Sequence, residues 1–399
     1  MNPDREKLLA WKVEDDAAPQ SPSMGQWFKG STLNWLPTKA EMRQSGLEQV
    51  LHGWTPPQPL ITPQTRVLAL GSCFARYFVL WLGDHGFNQN FPDSPYNALL
   101  RNSFGFESPA AIAQQFRWAF GELDSSKPLW IDQNKEQVEA TEEGRILVRE
   151  TLQKTDVLVL TLGLSEVWFD KLTGEPLWRA VPVKLYDPAR HLFKIEKFCD
   201  TLAALEVIDR IRTNSLPNLK ILFTVSPIRL KATFRPVSAL SANSVSKSIL
   251  RAAVDEFLRG HEDQLNRTYF YFPSYEIVTD VLETPFRDDN RHLYNHVPEV
   301  LMTLFARHYT SYQAPSENVG EQFVTESTYR EFHKVIAQLE AKNLELQAAC
   351  DQRQSVIEEL DREAKRRLEI IEQLESEKRQ TLRLFKNRRR KDQADDGSG

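Results

Sequence analysis

Cysteine is scarce in this chain: Cys73, Cys199 and Cys350 are all there are in 399 residues. So sparse and scattered a set excludes a disulfide framework and fits a reducing compartment. No apolar run is long enough to cross a bilayer, so no transmembrane segment is expected. The start, Met1-Asn2-Pro3-Asp4-Arg5-Glu6-Lys7, lacks the basic and apolar regions of a signal peptide, and a cytoplasmic protein is expected. An excess of either charge is also missing. Fifty Lys and Arg stand against 55 Asp and Glu, a formal net charge of -5, which argues against a nucleic-acid partner. Neither G-x-x-x-x-G-K-[ST] nor G-x-G-x-x-G occurs, so no nucleotide cofactor is expected. His292 and His296 are four apart, but no H-E-x-x-H pattern or neighbouring Cys pair accompanies them, and no metal is expected. What the chain does have is a 41% hydrophobic content, enough for one large α/β domain with appendages.

The most informative stretch is Val67-Leu68-Ala69-Leu70-Gly71-Ser72-Cys73-Phe74-Ala75-Arg76-Tyr77-Phe78. An apolar run meets a Gly-Ser pair, and an apolar pattern of helical spacing follows to about Leu82. This reads as strand, tight turn and helix. Ser72 then stands at a strand's C-terminal end and a helix's N-terminal end, where open α/β sheets bind ligands and where backbone N–H groups suit an oxyanion. Ser72 is either a nucleophile or a helix cap. Far downstream, Asp289-x-x-His292 places a carboxylate and an imidazole on one turn. A serine hydroxyl needs such a base, oriented by such a carboxylate, to attack at neutral pH. Cys73 is expected to be a small buried residue rather than a second nucleophile.

Gly71-Ser72-Cys73-Phe74-Ala75 resembles the signature of the GSCFA domain family, a branch of the SGNH (GDSL-like) hydrolase superfamily. Thr161 to Trp168, Thr224 to Pro227, Ser246 to Arg251 and Tyr271 to Glu276 resemble further segments of that family, in order, over roughly Thr62 to His308. The resemblance implies a flavodoxin-like three-layer sandwich with a parallel sheet. It also implies a serine-dependent ester hydrolase or O-acyltransferase, with acylated carbohydrate as a substrate class. Ser72 would be the nucleophile, His292 the base and Asp289 its orienter. The oxyanion hole would comprise the Ser72 N–H, Gly105 and Ser165, although Ser165 stands where the wider superfamily carries Asn. Asn97, Glu166 and Lys247 are candidate substrate contacts. For Ser165 and Glu166 the competing reading is the start of a helix. For Lys247 it is a solvated side chain. The rival to an enzyme is an interaction protein with a weakened oxyanion hole, presented on a coiled coil.

The remaining pattern supports α/β. Thr155–Gly163, Leu219–Pro227 and Thr268–Pro273 read as strands, and Pro109–Phe120, Lys194–Thr213 and Ser244–Arg259 as helices between them. Residues 1–61 are polar but carry Trp11, Trp27, Trp35 and Trp54, and are expected to wrap on the core. Residues 62–312 form the expected catalytic domain, with 313–328 as a linker. From Phe332 onward Pro and Gly vanish until Gly397. A heptad frame over 329–386 has Ile336, Asn343, Cys350, Ile357, Ala364, Ile371, Lys378 and Phe385 at a. Phe332, Leu339, Leu346, Arg353, Leu360, Arg367, Leu374 and Thr381 fall at d. This predicts a coiled coil, and Asn343 at a favours a parallel homodimer. Residues 387–399 read as a disordered tail.

Overall fold

The computed structural model describes residues 46–87, 108–123, 140–312 and 342–371 apart from 179, 283 and 369, with 34, 36–38, 41, 130–131 and 137–138. The chain divides into two units, Met1–Glu317 and Asn318–Gly399.

In the first unit the elements relevant to the site are β1 (Val67–Gly71), α1 (Cys73–Asp84), α2 (Pro109–Ala119), α3 (Glu142–Lys154), β2 (Val157–Leu162), β3 (Glu166–Asp170), β4 (His191–Ile195), α4 (Phe198–Ser215), β5 (Lys220–Val225), α5 (Ala239–Gly260), β6 (Tyr269–Tyr271) and α6 (His296–Tyr309). Four parallel strands pair in the order β1-β2-β5-β6, with Gly71 opposite Thr161 and Thr161 opposite Thr224. Strands β3 and β4 form a separate antiparallel pair.

The strands are apolar on both faces because helices cover both. Leu68, Leu70, Leu158, Leu160, Ile221, Phe223, Tyr269 and Tyr271 pack with residues of α2, α3, α4 and α5. Their alternates Val67, Ala69, Val157, Val159, Leu222 and Phe270 pack with Phe74, Phe78 and Leu82 of α1 and Val297, Leu301 and Phe305 of α6. This period-two division makes the expected three-layer α/β sandwich. Parallel pairing sends the C-terminal ends of all four strands to one rim, and Ser72, Gly163, Ser226 and Pro273 all follow those ends.

Several local expectations are corrected. Lys194–Ile195 finishes β4, and α4 starts at Phe198. Glu166 opens a strand rather than a helix, because residues 166–170 pair in register with 191–195. Cys73 is exposed. It is the first residue of α1, whose buried face runs through Phe74, Ala75, Phe78, Trp81 and Leu82. Trp54 does pack on the core, edge-on to Tyr271 with centroids 4.9 Å apart. Trp11, Trp27 and Trp35 lie outside the described residues.

In the second unit, 342–368 and 370–371 are helical, and every residue of them is exposed. Leu346, Ile357, Leu360 and Ile371, at a and d of the frame, are each more than half exposed. The other a and d positions before 342 and after 371 lie outside the described residues. No helix among the described residues is long and apolar enough to cross a membrane.

Candidate functional site

Ser72 sits where β1 turns into α1. Gly71 has φ +123, and a Cβ there would lie 2.0 Å from the Thr161 carbonyl oxygen. Only glycine brings the turn this close to β2. The Ser72 N–H donates to Thr161 O at 3.0 Å and Thr161 Oγ1 at 2.8 Å. Ser72 Oγ is buried, 3.1 Å from Thr161 Oγ1, and accepts from Phe74 N at 3.3 Å. Ser72 is thus the N-cap of α1. Its N–H, expected as an oxyanion donor, is taken by Thr161, because the turn extends the β1–β2 ladder by one residue. Thr161 has no role in the sequence reading. Its signal was its place opposite Gly71, visible only once strands are paired.

The second half of the site is a turn closed by its own aspartate. Asp289 Oδ1 accepts from Arg291 N at 3.0 Å and His292 N at 2.9 Å, while Oδ2 faces His292 Nδ1 at 2.5 Å. Asn290, at φ 55, takes the left-handed step that Asn tolerates. The His292 backbone N–H, its imidazole and the Arg291 N–H together hold the Asp289 carboxyl far below the usual carboxylate range. His292 Nε2 lies 2.5 Å from Arg291 Nη1. A guanidinium only donates, so Nε2 accepts and Nδ1 carries the proton. That is the tautomer a general base needs. No hydrogen bond joins Ser72 to His292 among the described residues. The lone pair on Nε2 is held by Arg291, a residue the sequence reading passed over.

The turn is tied to the loop after β5. Arg229 Nη1 donates to Asn290 O at 3.3 Å, Arg291 Nε donates to Arg229 O at 3.1 Å, and the Arg229 guanidinium lies 3.8 Å from the Phe286 ring centre. Leu230 N donates to Asn243 Oδ1, which fixes that loop on α5.

At the end of β2, Ser165 is fully buried, and both its N–H and its hydroxyl donate to Ser246 Oγ, at 2.9 and 3.2 Å. Its hydroxyl therefore faces α5. Lys247 is also fully buried, against the expectation of a solvated cation, and its Nζ donates to Gly163 O at 2.7 Å. Gly163 has left the ladder, and the ammonium supplies the donor its carbonyl needs. Gly105 and Asn97 lie outside the described residues.

Glu196 follows β4, and its N–H donates to Ser165 O at 2.8 Å. Burial, then repulsion from Asp200, pushes its carboxyl up to about 8, with Lys194 pulling the other way. It is a neutral acid at pH 7 in the folded chain and ionised in the unfolded one, whose ordinary value is 4.5. Folding takes up a proton, so stability should fall as pH rises from about 4.5 to 8 and level off above. Glu196→Gln should add about 3 kcal/mol at pH 7 and nothing at pH 4, by urea titration. A parallel gain at both pH values contradicts this.

The profile of the GSCFA family matches residues 66–305, which span β1 to β6 and α1 to α6 except the last turn of α6. This chain belongs to the GSCFA family. No curated protein matches it. In this GSCFA chain the match begins one residue before β1 and takes in Ser72, Asp289 and His292.

Proposed function

We propose that this GSCFA protein is a serine-dependent ester hydrolase or O-acyltransferase of SGNH type, with Ser72 as nucleophile, His292 as base and Asp289 as its orienter. The observation that carries the reading is the Asp289–His292 pair, whose two contacts select the basic tautomer. In the reaction Ser72 Oγ leaves Thr161 and Phe74 N and attacks the ester carbonyl carbon. Its proton passes to His292 Nε2 once Arg291 has given that atom up. The departing Oγ releases the Phe74 N–H, which lies in the first turn of α1 and is free to meet the oxyanion there. His292 then protonates the leaving alcohol. Water or an acceptor hydroxyl takes the acyl group from Ser72. Acylated carbohydrate is the substrate class proposed.

His292→Ala should lose about 10⁶-fold in kcat, as much as loss of the nucleophile, and Asp289→Ala about 10⁴-fold. Aryl acetate hydrolysis is the measurement. An active His292→Ala protein sinks the assignment. The committed Ser72 N–H and the buried Ser165 hydroxyl favour the rival, a hydrolase-like domain used for interaction. Covalent labelling by a fluorophosphonate separates the two.

The exposed helical residues 342–368 and 370–371 are proposed as part of one strand of a parallel homodimeric coiled coil, since an apolar stripe on a helix calls for a partner face. By light scattering the full chain should be a dimer and a chain ending at Glu321 a monomer. A monomeric full chain contradicts the proposal.

A further inference from the structure

Glu166 lies just beyond the rim end of β2, and its carboxylate is almost wholly buried, with 3% side-chain exposure. Among the described residues neither carboxylate oxygen has a hydrogen-bond partner. Arg235 stops with Nη1 3.8 Å from Glu166 Oε1, outside hydrogen-bond reach, and that Nη1 is also without a hydrogen bond among the described residues. A buried charge is expensive to leave unbonded, and natural interiors rarely do so. A shift of roughly 1 Å would close the pair to an ordinary charge-assisted contact. Held open, it leaves two acceptors and one donor side by side with no bond among the described residues.

The surroundings define what fits. Side chains two apart on a strand share a face, so Glu166 and Trp168 point the same way. Trp168 pairs across the ladder with Phe193, their ring centres 5.5 Å apart. Phe234, next to Arg235, covers both, at 5.0 Å from Trp168 and 5.1 Å from Phe193. Phe234 nevertheless remains 68% exposed. An open aromatic surface thus adjoins a carboxylate–guanidinium pair whose charges cancel. An anion meets Glu166 and a cation meets Arg235, so neither gains net attraction. A neutral ring bearing adjacent hydroxyls satisfies every group: two O–H donors to Glu166, an oxygen for Arg235, and a C–H face for Phe234.

We infer that Glu166, Arg235, Trp168 and Phe234 form a subsite for a neutral saccharide. It rests on the hydrolase reading only for its purpose, the binding of the sugar portion of an ester. The same loop carries Arg229, whose carbonyl and guanidinium hold the Asp289–His292 turn. A sugar seated on Arg235 would therefore be held by the segment that positions the base.

The test is direct binding, which needs no turnover. The full-length Ser72→Ala protein is titrated with unesterified xylohexaose, cellohexaose and chitohexaose, and with polygalacturonate as an anionic control, following tryptophan fluorescence and calorimetric heat. At least one neutral oligosaccharide should bind and polygalacturonate should not. Phe234→Ala, an exposed position, and Arg235→Gln should each weaken that binding tenfold or more, with Arg235→Lys recovering part of it. Glu166→Gln should weaken it as well, with circular dichroism confirming its fold. Failure of all three neutral sugars to bind overturns the inference, as does tighter binding of polygalacturonate or undiminished binding by Phe234→Ala and Arg235→Gln. Fluorophosphonate labelling of the wild type is scored separately. Binding without labelling leaves the subsite standing and removes the hydrolase; labelling without binding does the reverse.

Discussion

Ser72→Ala should abolish fluorophosphonate labelling and lower ester hydrolysis about 10⁶-fold while leaving a folded protein. The two roles open to this residue separate cleanly in that variant. As a cap, Ser72 Oγ accepts one long bond from Phe74 N and touches Thr161 Oγ1. Losing those contacts costs ~1 kcal/mol, a fall of a few degrees in Tm. As a nucleophile it carries the reaction itself. A protein that loses the few degrees yet labels like the wild type shows that the hydroxyl is only a cap. Because Cys73 is exposed beside it, Cys73→Ala is the necessary control. Labelling that disappears with Cys73 and survives without Ser72 assigns the reactive atom to sulfur.

Gly71→Ala should be the most damaging small substitution in the core. The new methyl would sit 2.0 Å from Thr161 O and 2.6 Å from Thr161 Oγ1, at a φ of +123. Thr161 is itself paired on both sides, to Gly71 in β1 and Thr224 in β5, so it has nowhere to move without breaking a ladder. A loss of at least ~4 kcal/mol is expected, with Tm lower by about 10 °C or more and little soluble protein. Gly174→Ala is the comparison. It also has positive φ, +72, but nothing lies within 4 Å of its added Cβ. It should cost only the backbone penalty, about 1–2 kcal/mol. Equal destabilisation by the two would show that φ alone, and not the approach to β2, makes Gly71 necessary.

The sheet was legible in the sequence because strands covered on both faces read as unbroken apolar runs. Val67–Leu70, Val157–Leu162 and Ile221–Val225 all did. The Gly-Ser turn was legible because so few residues allow that geometry, and the Asp289–His292 pair because it is made within one turn. The hairpin of β3 and β4 was not. Glu166-Val167-Trp168-Phe169-Asp170 carries no turn signal, and its partner strand lies beyond residues 171–190. Lys247 was misread because the carbonyl that justifies its burial is 84 positions away. The openness of Arg235 toward Glu166 has no local signature either. A distance between a loop guanidinium and a strand carboxylate belongs to the folded chain alone.

The bond between Ser72 and Thr161 has a consequence for the nascent chain. Ser72 and Thr161 are 89 residues apart, and β1 hydrogen-bonds only to β2 among the described strands. At ribosomal speeds, roughly 5–20 s pass between the emergence of the two. Throughout that interval Val67-Leu68-Ala69-Leu70 is a bare apolar strand with no ladder to join. Such a segment invites pairing with other nascent copies. His292 emerges later still, so the strand that leads into Ser72 waits longest of all the parts of the candidate site. Slow translation between residues 72 and 161, or loss of a holding chaperone, should therefore reduce soluble yield far more than the finished domain's stability suggests.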